Sequence, residues 1–199
     1  GQPCRNNARG DWPFLFKSTA ETLRIYYPTT WLSYGLGMFA IDASQSLTYA
    51  PYGVFAKYFG FSYALSERII HMWPIVIFST FGSYLLLNHM FKNKKAVFIG
   101  VLVYVFNTFL LQYETSFLTL SAAIALAPLV MFLFIKLLEK QTFKWLCLAI
   151  LFGYIQSAYE FRAFYVMAIA LFFYLIFFIS FIKNNQRIHT LLFGLLFFI

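Results

Sequence analysis

The chain has 199 residues, of which 61% are hydrophobic and 11% charged, with a formal net charge of +8 and a mean hydropathy of +0.72. A soluble domain carries roughly 25% charged residues, so the composition excludes an ordinary water-soluble globule and points to an all-α, polytopic transmembrane helix bundle. The positive charge does not argue for a nucleic-acid partner, because most of it sits in short loops between apolar segments, where membrane topology accounts for it.

Two parts are expected, a polar-aromatic segment over 1–68 and a bundle over 69–199. The first part opens with "ARGDWPFLFKS" at 8–18. From Pro13 onward, Phe16, Ala20, Leu23 and Tyr27 share one helical stripe, and Lys17, Glu21 and Arg24 share another. Pro28 ends the run. This pattern predicts an amphipathic helix lying on a membrane surface. A second short helix fits "PYGVFAKYFG" at 51–60, stopped by Gly60, and between them "WLSYGLGMFAIDASQSLTYAPYG" has the Gly, Ser and Tyr content of a folded loop. Ser62 is placed to cap the first spanning helix.

Spans are then expected at about 69–91, 96–113, 118–135, 145–159 and 163–182, with another beginning at 189. As one helix, 145–182 would be about 57 Å long, enough for two crossings of a ~30 Å hydrocarbon core. "SAYEFRA" at 157–163 divides it, since burying Glu160 and Arg162 in lipid would be costly. The last apolar stretch stops at Ile199, too short from His189 to cross a bilayer, and no initiator Met or signal peptide is seen. Both ends therefore read as cut, and the chain as a piece of a larger protein. Cys4 and Cys147 fall toward opposite membrane faces, so no disulfide is expected between them.

The loops fix an orientation. Lys92, Lys94, Lys95, Lys136, Lys140, Lys144, Lys183 and Arg187 put eight basic residues on one side, whereas "YETSF" and "SAYEFRA" contain Arg162 as their one basic residue. By the positive-inside rule the lysine loops are cytoplasmic, and Glu114, Glu160 and residues 1–68 face outward.

The candidate chemistry collects on that outer face. Asp11 precedes Trp12-Pro13, as a helix cap would, and a capping Asp still has a second oxygen for a ligand. The tripeptide Arg9-Gly10-Asp11 is a weak adhesion motif that arises by chance. Glu114 sits at an outer helix end in "LLQYETSFLTL", and Glu160 and Arg162 lie two apart, where they can satisfy each other or solvent. If the long first loop folds back over the bundle, Asp11 approaches the other acids. Paired carboxylates can take a proton from a hydroxyl or hold a divalent metal, while Arg5, Arg9, Lys17 and Arg162 can neutralise a phosphate. Glu67, Arg68 and His71 cluster at the outer interface, with snorkelling or mutual pairing expected of them. Asn88 and His89 lie at the opposite end. Asn107 and Pro128 fall within spans, where packing or a local kink is their expected role. No P-loop, zinc-ligand spacing, nucleophile elbow or local Ser-His-Asp signature is present.

An acid early in a long outer loop, two juxtamembrane helices and a bundle with short loops resemble the GT-C superfamily of membrane glycosyltransferases. The closer likeness is to the large bacterial and archaeal membrane proteins related to YfhO and to the arabinofuranosyltransferases. The residues that carry it are "GDWPF" at 10–14, "WLSYGLG" at 31–37, "YAPYGVFAKYFGFSYALSERI" at 49–69, "VYVFNTFLLQYE" at 103–114 and "ALAPLVMFLFIKLLE" at 125–139. The resemblance implies a seven-helix module whose first helix would precede Gly1. It implies a sugar donor linked to polyprenyl phosphate, an acceptor glycan or protein on the outer face, and a plasma membrane of a bacterium or archaeon.

In that frame Asp11 matches the first-loop acid, a base or metal ligand. Glu114 falls where many members place a second acid, although one Glu stands where the pattern has a pair. Arg9, Lys17, Glu160 and Arg162 are substrate-binding candidates. The cofactor is left open, with a divalent metal such as Mg or Mn as the candidate. Two other functions remain: a transporter or flippase for a lipid-linked saccharide, and a non-catalytic GT-C-like scaffold in which Asp11 only caps a helix.

Overall fold

The computed structural model describes residues 31–32, 38–39, 51, 54–55, 58–107, 118–181 and 184–198. The expected amphipathic helix from Pro13 and the greater part of segment 1–68 lie outside them. Within that segment, β1 (Trp31–Leu32) pairs antiparallel with β2 (Met38–Phe39), with Trp31 opposite Phe39. Near 51–60, Pro51, Val54, Phe55 and Tyr58 are helical. Gly60 then takes a φ of 63°, a left-handed conformation that glycine adopts without a Cβ clash. The Phe61 N–H reaches back to the Phe55 carbonyl at 3.1 Å, so the stop expected at Gly60 is made.

The rest is an all-α bundle. Six long helices follow in the described residues: α1 (Tyr63–Glu67, Arg68–Met72 and Trp73–Met90, without interruption), α2 (Lys94–Val105), α3 (Leu118–Lys140), α4 (Phe143–Tyr159), α5 (Phe161–Phe181) and α6 (Asn184–Leu196). Three of these runs are long and apolar enough to cross a membrane: Ala64–Met90, Leu118–Lys140 and Phe161–Phe181. The side-chain pattern is that of a membrane protein. Phe98, Val103, Phe173, Phe177 and Phe181 are exposed on the bundle's flanks, where hydrocarbon rather than water suits them.

Several boundaries have a local cause. Ser62 caps α1 as expected, accepting a hydrogen bond from the Leu65 N–H at 3.3 Å. Asn93 does the same for α2, accepting from the Lys95 N–H at 3.0 Å. The α2 helix ends earlier than the expected span, at Val105. Asn107 lies beyond it, not within a helix, and its side-chain amide donates to the Tyr104 carbonyl at 2.7 Å. Between α4 and α5 one residue, Glu160, is extended (φ −157°, ψ 105°). A wider break was expected there.

Helix α3 is the most enclosed of the described helices. It packs against α1, α4, α5 and α6. Its Leu126, Val130, Phe134, Leu137 and Leu138 are buried with Leu171 and Leu175 of α5 and Phe197 beyond α6. The ring of Phe134 meets that of Phe197 edge-on at 5.1 Å. On the other side, α1 presents Ser79, Gly82 and Ser83, all buried. A Cβ on Gly82 would stand 3.0 Å from both the Cβ and the backbone nitrogen of Leu129. Small residues thus let the two helix backbones approach closely, which is how helices associate when lipid removes the hydrophobic driving force.

Candidate functional site

Two prolines shape the end of the bundle opposite the lysine loops. Pro74 has no N–H, so it cannot donate to the Ile70 carbonyl four residues back. The helix relaxes there into a π-turn over Arg68–Met72, in which the Trp73 N–H reaches the Arg68 carbonyl. The carbonyl of Ile70 is satisfied from outside the helix: the Tyr159 hydroxyl of α4 donates to it at 2.6 Å. Pro128 repeats the arrangement in α3. Its missing N–H deprives the Ile124 carbonyl, and the Tyr104 hydroxyl of α2 donates to that oxygen at 2.7 Å. Two proline-freed carbonyls are thus each bonded by a tyrosine from a neighbouring helix, and an unsatisfied buried carbonyl is avoided in both places.

The same end gathers buried polar side chains. Ser66, Glu67, His71, Ser121 and Gln156 are all less than a tenth exposed. The Glu67 and His71 side chains are buried, not extended to a wet interface, whereas Arg68 between them is exposed. The π-turn carries His71 against Tyr159, with ring centroids 5.6 Å apart and nearly edge-on. One turn before Tyr159, the Gln156 amide donates to the Ala123 carbonyl of α3 at 2.9 Å. The Gln156 Oε1 and the Ser121 hydroxyl make no hydrogen bond, which is a costly state for buried polar atoms. π-Turns and under-satisfied polar groups concentrate at functional sites.

Glu160 and Arg162 stand at the rim of this region. The Arg162 guanidinium donates to both carboxylate oxygens of Glu160, Nε to Oε1 at 2.8 Å and Nη2 to Oε2 at 3.3 Å. The Glu160 side chain is 10% exposed and that of Arg162 84%. Glu160 also begins α5: its Oε1 accepts from the Arg162 N–H at 3.4 Å and its carbonyl accepts from the Phe164 N–H at 3.2 Å. A carboxylate at a helix N-terminus is favoured by the aligned peptide dipoles.

The remaining sequence candidates, Arg9, Asp11, Lys17 and Glu114, lie outside the described residues, as do Cys4 and Arg5. Cys147 is exposed and free. Among the described residues no three His, Cys, Asp or Glu side chains are grouped to hold a metal ion. At the opposite end, His89 Nε2 lies 2.9 Å from Glu139 Oε1, and Lys136 donates to Glu139 Oε2 at 2.9 Å, joining α1 to α3.

Sequence reasoning passed over Pro74, Tyr104, Gln156 and Tyr159. A signal existed for the prolines, since each marks a carbonyl four residues earlier as needing a donor. None existed for the donors, which come from other helices. No family model, curated protein or solved structure matches the chain.

Proposed function

We propose that the chain is part of a GT-C-type membrane glycosyltransferase, moving a sugar from a polyprenyl-phosphate-linked donor to a glycan or protein acceptor. The site lies on the outer face of a bacterial or archaeal plasma membrane. One observation carries the proposal: the buried polar groups Glu67, His71, Ser121 and Gln156 and the Glu160–Arg162 pair all belong to the bundle end opposite the lysines. The end of α2 and the start of α3 meet at this same end through Tyr104 and Ile124, and Glu114 lies between these helices in the sequence. Helix α1, which follows the segment bearing Asp11 in the sequence, begins at this end.

In this reading Asp11 takes the proton of the acceptor hydroxyl as its oxygen bonds to the anomeric carbon. The bond from that carbon to the donor phosphate breaks, and the phosphate leaves with the electron pair, its charge met by Arg9, Lys17 and the outward guanidinium of Arg162. Glu114 is a second base or a metal ligand, with Mg or Mn as candidates, and Glu160 holds Arg162 in place. The donor's polyprenyl chain lies against the exposed apolar flanks of the helices.

Wild type, Asp11→Asn and Glu114→Gln reconstituted in lipid and offered a mixed pool of polyprenyl-phosphate sugars test the proposal, with thermal unfolding measured in parallel. Loss of transfer in Asp11→Asn at unchanged stability is expected. Transfer that survives while the melting temperature falls would make Asp11 a helix cap and sink the catalytic assignment.

The burial of the ionisable Glu67 and His71 beside a membrane-spanning helix favours a second reading, a flippase for a lipid-linked saccharide. Against it, the path toward the lysine end is filled by Leu126, Val130, Phe134, Leu137 and Leu138. Movement of the labelled saccharide across a vesicle without bond formation would decide for that second reading.

A further inference from the structure

The lysine-bearing end is held together by a small network and leaves most of its charge outside it. His89, Lys136 and Glu139 join α1 to α3, and the Gln141 side-chain amide donates to the Thr190 hydroxyl at 2.7 Å, joining α3 to α6. The turns after α1 and α3 therefore meet at one end, with the middle of α6 against the turn after α3. Around them Lys92, Lys94, Lys95, Lys140 and Lys144 are exposed, Lys94 donating to the Asn88 side-chain oxygen. Among the described residues the acid at this end is Glu139, already engaged by Lys136 and His89. No acidic residue stands in the first turn of α2 or α4, where Lys94, Lys95 and Lys144 instead add positive charge to the positive ends of helix dipoles. Self-repulsion of this kind is relieved by an external anion.

The surroundings say which kind of anion. Phe91 and Phe143 are exposed next to Lys92 and Lys144 in the chain, Phe143 at 74%. The Lys144 ammonium lies 6.0 Å from the centre of the Trp145 ring. A rim of cations alternating with bare aromatic rings matches the boundary between phosphate headgroups and acyl chains. A soluble polyanion would leave the phenylalanines in water.

We propose that this rim is a binding surface for anionic glycerophospholipids, with Lys92, Lys95, Lys140 and Lys144 holding headgroup phosphates. The phenylalanines beside them pack against the upper acyl chain. The surface is independent of the glycosyltransferase reading, since it lies at the other end of the bundle.

The test is lipid selection by the full chain in nanodiscs, read by electron spin resonance with spin-labelled phosphatidylglycerol or phosphatidylcholine. At low salt the wild type is expected to favour phosphatidylglycerol about five-fold, with the preference shrinking as salt screens the lysines. The variant Lys92→Gln/Lys95→Gln/Lys140→Gln/Lys144→Gln is expected to lose most of that preference at an unchanged melting temperature. If that variant does not fold, the two pairs of substitutions are made separately, each expected to lose part of it. Equal selection of both lipids by the wild type, or selection unchanged in the variants, overturns the proposal. So does displacement of the labelled lipid by inorganic phosphate at an ionic strength where chloride leaves the lipid in place, which would make the site one for a free ion.

Discussion

The two ends of the bundle handle polar groups in opposite ways. At the end where α1 begins, Ser66, Glu67, His71, Ser121 and Gln156 are buried, and the tyrosines there donate to backbone carbonyls. At the end where α1 finishes, charges are exposed and bond one another across helices, as His89, Lys136 and Glu139 do. Polar groups in a low-dielectric interior are strongly bound or expensive. Charges at a wet rim are cheap to keep and cheap to lose. Substitutions that strip a buried group of its donor at the first end should therefore damage the fold, whereas those of exposed charges at either end should change what binds.

The largest effect is expected between the ends, at the seam that holds them in register. Gly82→Leu places a side chain where even a Cβ meets Leu129 at 3.0 Å, and overpacking of this kind costs about 3 kcal/mol. Equilibrium unfolding in mixed micelles measures it, and a cost under about 1 kcal/mol would mean that α1 and α3 are not locked at this contact.

Next come the proline-linked tyrosines. Tyr159→Phe strips the Ile70 carbonyl of its donor, and Tyr104→Phe does the same to Ile124; each should cost about 2 kcal/mol. The informative measurement is a double-mutant cycle. In a Pro74→Ala background the residue at 74 can donate its own N–H to Ile70, so Tyr159→Phe should cost distinctly less there. Equal costs in both backgrounds would show that the tyrosine contributes through packing alone. Pro128→Ala with Tyr104→Phe offers an independent repeat in α3.

A smaller and opposite outcome is expected at Gln156. Its amide makes one bond to Ala123 while its Oε1 makes none. Leucine removes the orphaned oxygen, and the Ala123 carbonyl, inside α3, still has the helical N–H four residues on as a donor. Gln156→Leu should therefore change stability by less than about 1 kcal/mol, while transfer activity falls if this end binds substrate. Preserved stability together with preserved activity would remove Gln156 from the site.

The smallest effect belongs to Arg162→Ala. The guanidinium is paired but 84% exposed, and exposed pairs are worth about 0–1 kcal/mol. Under the glycosyltransferase reading the change appears in donor KM and leaves the melting temperature nearly still. A large drop in melting temperature would mean that the Glu160–Arg162 pair holds the α4–α5 junction and serves structure.

Much of the fold was legible in the sequence for a local reason. Ser62 before an apolar run and Glu160 with Arg162 inside one mark boundaries through groups only a few residues apart. Gly60 marks a stop because its own φ is unrestricted. The early end of α2 had only a weak sign, Asn107, which was read as a packing residue within a span because apolar residues resume after it. The burial of Glu67 and His71 was missed for a different reason. An i,i+4 pair near a helix end reads as an interfacial pair, and the π-turn that rotates His71 toward Tyr159 depends on Pro74 and on another helix.

Taken by itself, the sequence determined that this chain makes apolar helices, where most of them begin, and that its basic residues collect at alternate turns. These are matters of hydropathy and of hydrogen bonds between residues four apart, which each segment satisfies alone. Tertiary structure decided which helix is enclosed, which face of α1 meets α3, and which tyrosine answers which proline. The Tyr159 hydroxyl and the Ile70 carbonyl are 89 positions apart, and no local pattern can pair groups that meet only when helices pack.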